Sequence, residues 1–145
     1  MRVLLDSPSY LPATGGLEIH MKDLAGALIG AGAEVAIATH QQGNPDTSDP
    51  CAVHRWPMLW LPKGERIQQW ILARKLSTLH RTFPFDILHA HSPCLTGLAA
   101  LRVGRRLGIP VVYEMRSSWE DAAVTEGATK AGSLRFQFAR VVPLP

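Results

Sequence analysis

The sequence predicts an α/β protein in which helices cover both faces of a parallel sheet, and three observations carry that prediction. Short apolar runs recur along the chain, segments of helical period lie between them, and glycines or proline-bearing polar stretches punctuate the junctions. The resulting order is β-α-β-(β)-α-β-α-β, the alternation that a parallel sheet requires.

Residues 2–5, RVLL, form a short apolar run followed within a dozen positions by helix-period residues, which favours a buried parallel strand. From Leu17 the apolar residues Met21, Leu24 and Leu28 step by four, three and four onto one helical face, and Gly30 and Gly32 end that helix. Glu34 to Thr39, EVAIAT, is the second strand. The stretch 41–50, QQGNPDTSDP, is a surface loop, and Ala52 to Trp56 is a third strand stopping before Pro57. Ile67 to Phe83 carries two apolar rows, Ile67, Trp70, Ile71 and Leu72, Leu76, Leu79, Phe83, and is expected to be a well-covered helix. Ile87 to His91 forms the next strand, Leu95 to Leu107 a helix ended by Gly108, and Pro110 to Tyr113 the last clear strand.

At 145 residues the chain suffices for one domain with a sizeable core. With 46% hydrophobic and 19% charged residues it is globular in composition. No run reaches the ~18 apolar residues of a membrane span. The N-terminal MRVLLDSPSY breaks at Asp6, too early for a secretory signal, so a cytoplasmic location is expected. Cys51 and Cys94 are distant and lack CxxC spacing, which favours two reduced thiols. The formal charge of +3 is carried partly by Arg66, Arg74 and Lys75 and by Arg102, Arg105 and Arg106, which read as solvated helix faces. Aromatic-basic interleaving is missing, and no nucleic-acid partner is expected.

Parallel sheets bind ligands at the carboxyl ends of their strands, where strand order reverses. Three loops qualify: the one holding Gly15 and Gly16, the one after His91, and the one after Glu114. Gly15 and Gly16 sit where the first N–H groups of a helix can hold an anion and where a phosphate meets no Cβ. An ordinary turn accounts for them equally well, since neither G-x-G-x-x-G nor a Walker A motif is present. His89 and His91 flank Ala90 and are assigned to opposite faces of their strand, unable to share one metal; His91, at the strand end before Ser92 and Pro93, is the better candidate. His20 is on the first helix, either in the cleft or on the surface. In YEMRSSWEDAAV, Glu114, Arg116, Trp119, Glu120 and Asp121 cluster, an arginine suited to phosphate and carboxylates suited to sugar hydroxyls or to proton transfer. An internal arginine–carboxylate network is the plainer alternative.

Taken together, P-x(6)-GG-x-E-x(5)-LA-x-x-L-x-x-x-G-x-EV, DILHAHSP and GIPVVYE resemble the N-terminal domain of the group-1 (family 4) retaining glycosyltransferases of GT-B fold. The resemblance runs from Met1 to about Arg140, leaving 141–145 as a tail, and implies a Rossmann-like domain. The segment VVYEMRSSWEDAAVTEGATKAGSLRF is similar to the subgroup associated with exosortase and exopolysaccharide loci. The resemblance implies transfer of a sugar, with retention and without a metal or other cofactor, from a nucleotide-sugar donor to a glycan or lipid-linked acceptor. A lipid-linked acceptor would bring peripheral membrane contact. It also implies that Gly15 and Gly16 contact the donor diphosphate, that His91 and Arg116 are catalytic, and that Glu18, His20, Ser92, Trp119, Glu120 and Asp121 line the acceptor side. Many relatives carry a histidine at the position matching Arg116. The family's C-terminal domain, with its E-x(7)-E motif, has no counterpart in these residues, so the 145 residues alone are expected not to turn over substrate. A non-catalytic α/β module that binds an anion or a partner protein is the competing reading, and a nicotinamide oxidoreductase is disfavoured by the missing third glycine.

Overall fold

The structure, a computed structural model, describes residues 1–13, 15–40, 49–56, 64–91 and 94–115. Contacts divide the chain into Met1–Glu114 and Met115–Pro145, and the first unit holds every described helix and strand. Its elements are β1 (Arg2–Ser7), α1 (Gly16–Gly30), β2 (Glu34–Thr39), β3 (Ala52–Arg55), α2 (Glu65–Thr82), β4 (Ile87–His91), α3 (Cys94–Leu107) and β5 (Val111–Glu114). The five strands form one sheet in the order β3-β2-β1-β4-β5, with every adjacent pair parallel. The expected parallel sheet is therefore present, and its order reverses between β1 and β4.

Strand alternation sorts the core into two halves. Leu4, Ala36, Ala38, Leu88 and Ala90 face α2 and α3, where Leu72, Leu76, Phe85, Ala99 and Val103 complete a buried cluster. Val3, Leu5, Val35 and Ile37 face the other way onto Met21 and Ala25 of α1, with Tyr10 enclosed beside them. Helices thus cover both faces, as expected. The face stepping through Met21, Leu24 and Leu28 is the one α1 buries or half-buries.

Both α1 and α3 stop at a residue in the left-handed region. Gly32 has φ +84°, and the chain closes with bonds from Gly32 N–H to Ile29 O and from Ala33 N–H to Leu28 O. Gly108 has φ +71°, with Ile109 N–H donating to Gly104 O. These bonds satisfy last-turn carbonyls that would otherwise lack donors.

Two expectations need correction. The first strand extends through Asp6 and Ser7, both buried, because the ladder to Ala38 and Thr39 continues past the apolar run. The helix α2 is not covered all round: Ile67 and Trp70 are 57% and 54% exposed, while Gln68 is buried. Only the row through Leu72, Leu76 and Leu79 meets the sheet. The Arg74 guanidinium lies 5.5 Å from the Trp70 ring and the Lys75 ammonium 5.8 Å from the Trp56 ring, so these cations cover aromatic surface.

Close packing of α3 on β5 depends on missing side chains. A Cβ on Gly104 would stand 2.3 Å from Val111 Cγ2 and 2.9 Å from the Ile109 carbonyl oxygen. Gly104→Ala is therefore expected to lower stability by about 1–3 kcal/mol, the usual cost of overpacking. Gly26→Ala, in α1 with nothing within 4 Å of the new Cβ, should instead gain up to about 1 kcal/mol from helix propensity. Chemical denaturation of both variants beside the parent chain measures the contrast; equal effects would refute the packing account.

Candidate functional site

The reversal of strand order brings the carboxyl ends of β1 and β4 side by side, and a helix starts shortly after each. The loop leaving β1 is held from several directions. Ser7 Oγ donates to the Ser9 carbonyl at 2.8 Å, Tyr10 is fully buried, and Arg55 Nη2 of β3 donates to the Leu11 carbonyl at 2.6 Å. Burial, helped by neighbouring Asp49, drives the Tyr10 hydroxyl well above its ordinary pKa, so it stays protonated.

Gly15 is the N-cap of α1, extended at φ −155°, and offers no side-chain cap. Glu18 is buried, and its carboxylate accepts a hydrogen bond from Ser9 Oγ. A Cβ on Gly15 would lie 2.6 Å from Glu18 Oε2, so this glycine makes room for that carboxylate. Gly16 differs, because a Cβ there would meet nothing within 4 Å. The two glycines, read together from the sequence, thus have separate surroundings.

The titratable residues gather at the ends of β4 and β5. Alternate residues of a strand share a face, and His89 and His91 accordingly point the same way, their rings stacked at 4.4 Å with an interplanar angle of 22°. This corrects the assignment to opposite faces. The face is that of α1, and His20 reaches it with its ring centroid 6.0 Å from that of His91. One carboxylate stands among the three imidazoles: Glu114 Oε2 is 3.4 Å from both His89 Nε2 and His91 Nε2, and Glu114 Oε1 is 3.4 Å from His20 Nε2. His91 is fully buried, whereas the side chains of His20 and Glu114 are 34% and 32% exposed, so the cluster opens on that side.

Burial is the main force lowering the His91 pKa to about 4, with His89 adding to it; Glu114 and the Asp6 main chain pull the other way. His89 is lowered too, by burial first and against Glu114. His91 is therefore a neutral imidazole at pH 7. Its carbonyl accepts from Thr96 Oγ1 of α3 at 2.5 Å, which ties the end of β4 to the next helix.

Asp6 and His40 were not singled out from the sequence. Asp6 is fully buried at the end of β1, with Oδ1 3.2 Å from His40 Nε2 beyond β2. An aspartate closing an apolar run, where the strand would otherwise have ended, is the signal that marks it. Of the residues named from the sequence, Gly15, Gly16, Glu18, His20 and His91 belong to this end of the sheet. Arg116, Ser92, Trp119, Glu120 and Asp121 lie outside the described residues. Cys51 is a free thiol whose pKa burial pushes up to about 11, and the Cys94 side chain is not described. A cavity of about 440 Å³ lies elsewhere, between β3 and α2, lined by His54, Trp56, Trp70 and Arg74 among others.

A five-stranded parallel sheet of this order, with polar groups converging where it reverses, is a Rossmann-like ligand-binding domain. Residues 15–142 match the glycosyl transferase 4-like domain, and the chain belongs to that family. Over 145 aligned residues, 97% of the chain, it is 29% identical to a GDP-mannose-dependent alpha-mannosyltransferase of Mycolicibacterium smegmatis. It is 28% identical over 127 residues, 83% of the chain, to an alpha-monoglucosyldiacylglycerol synthase of Acholeplasma laidlawii. The chain spans 39% and 31% of the lengths of these two relatives. Among solved structures, the sucrose-phosphate synthase of Thermosynechococcus elongatus shares the fold, with a TM-score of 0.64 and 17% identity across 96% of this chain and 39% of that one. No described helix is long and apolar enough to cross a membrane.

Proposed function

We propose that the chain is the acceptor-side domain of a retaining GT-B glycosyltransferase of exopolysaccharide-type biosynthesis. The complete protein would transfer a hexose from a nucleotide-sugar to a glycan or lipid-linked acceptor on the cytoplasmic side of the membrane, with no metal in the transfer step. The observation that carries this reading is the junction of β1 and β4, where the uncapped N-terminus of α1 begins beside the strand that ends in His91. The first N–H groups of α1 and its dipole suit the donor diphosphate, and Gly16 leaves the approach open.

In this reading Arg116 offsets charge on the leaving diphosphate, as a guanidinium does by paired hydrogen bonds. Neutral His91 presents an uncharged imidazole next to Glu114. His20, with Glu18, Ser92, Trp119, Glu120 and Asp121, would receive the acceptor. The names of the relatives make GDP-mannose the first donor to try and diacylglycerol-based lipids the first acceptors.

The test is nucleotide release from a panel of guanosine and uridine diphosphate sugars, by the 145-residue chain and by the full-length protein. Release by the full-length protein alone is expected, since donor and acceptor must be held together across two domains. Absence of both release and binding in either form would favour a non-catalytic module.

A further inference from the structure

Three imidazoles surround one carboxylate at the ends of β4 and β5. Nε2 of His20, His89 and His91 are all buried without a hydrogen-bond partner, although Glu114 is 3.4 Å from each. Buried polar atoms left so are costly, and 3.4 Å is too long for the carboxylate to satisfy them with good hydrogen bonds. One ligand atom each from His20, His91 and Glu114 lie within 4.8 Å of one another. Two imidazoles and a carboxylate are a donor set that holds Zn²⁺ while leaving a position open. Glu114 reaches His20 through Oε1 and His91 through Oε2, each at 3.4 Å, so small side-chain rotations would bring one oxygen and both nitrogens around a single ion.

We infer that His20, His91 and Glu114 form a binding site for a late first-row divalent cation, Zn²⁺ foremost, with one position left open. The nitrogen-rich set selects against Mg²⁺ and Ca²⁺, which take oxygen ligands. The exposed edges of His20 and Glu114 give the ion its way in. Bound there, the ion links α1 to the ends of β4 and β5, fastening three elements rather than taking part in the transfer. An ion held here would engage His20 and His91, the side chains placed above toward acceptor and transfer, but its test reads metal binding alone and does not depend on sugar transfer.

The 145-residue chain, freed of any histidine tag and stripped with chelator, would be titrated with Co²⁺ and followed by its visible absorption. Tetrahedral d–d bands that saturate at one ion per chain, yield to one equivalent of Zn²⁺ and resist excess Mg²⁺ are expected. Zn²⁺ should also raise the melting temperature of the parent chain. His20→Ala and Glu114→Gln should each weaken Zn²⁺ binding by more than the roughly ten- to hundredfold lost with an outer-shell partner. Both residues are about one-third exposed, so the metal-free variants should melt with the parent chain. Absent bands, a Zn²⁺-insensitive melting temperature, or binding unchanged in both variants would overturn the site.

Discussion

Gly16→Val in the full-length protein is expected to lower kcat/KM for the nucleotide-sugar by about a hundredfold, the loss that follows a 1 Å misplacement near reacting groups. In the proposed function, the valine branches would stand in the path of the donor diphosphate toward the first N–H groups of α1. The fold should tolerate the change, because a Cβ at Gly16 meets nothing within 4 Å. Gly15→Ala is the informative companion. Its Cβ would press on Glu18 Oε2, so its effect should travel through the Ser9–Glu18 contact and the loop. Steady-state kinetics with varied donor, together with thermal melts, separates the two. If Gly16→Val retained the parent's donor KM and kcat, Gly16 would have no part in holding phosphate.

The second large effect concerns acid. His91 titrates near 4 when folded and near 6.5 when unfolded, so the unfolded chain takes up the proton first. The stability tied to its neutral form is complete above pH 6.5 and drains away as pH falls toward 4, by about 3 kcal/mol at most. His89 and His54, also lowered by burial, add slope in the same direction. The groups facing His91 are His89 beside it on β4, His20 from α1, Glu114 from β5 and the Asp6 main chain from β1. Urea denaturation in chelator-containing buffers from pH 8 to 4 should show this decline. His91→Gln, which cannot take up the proton, should flatten it. Identical slopes in parent and variant would assign the acid sensitivity to other residues.

Much of this architecture was legible because strand and helix periods differ so plainly. The bounds of β2 and β4 coincide with EVAIAT and ILHAH, runs delimited by a glycine-bearing turn or a polar residue. The end of β1 was missed because Asp6 and Ser7 are polar, and hydropathy cannot distinguish a buried polar strand end from a loop. The exposed row of α2 was misjudged for a similar reason: Ile67 and Trp70 look like core residues, and only the docking of the helix decides which row is covered. At the site, residue types and their position at strand ends pointed to His91 and the α1 glycines. That Glu114 would stand among three histidines depends on the parallel register of β4 with β5, in which His91 pairs with Glu114. The approach of α1 then brings in His20, and no local pattern encodes that meeting.

The placement of β1 has a consequence for how the molecule is made. This strand is the centre of the sheet, with apolar residues on both faces, and it is synthesised before the four strands it joins. Its first partner arrives soon, with β2, but its other edge has no mate until residues 87–91 have been synthesised. Through that interval the nascent chain carries an uncovered, β-prone edge, the kind of surface on which chains stick to one another. Such pairing between distant segments is also slow. Yield on expression should therefore respond more to the supply of chaperones during synthesis than to the stability of the finished domain.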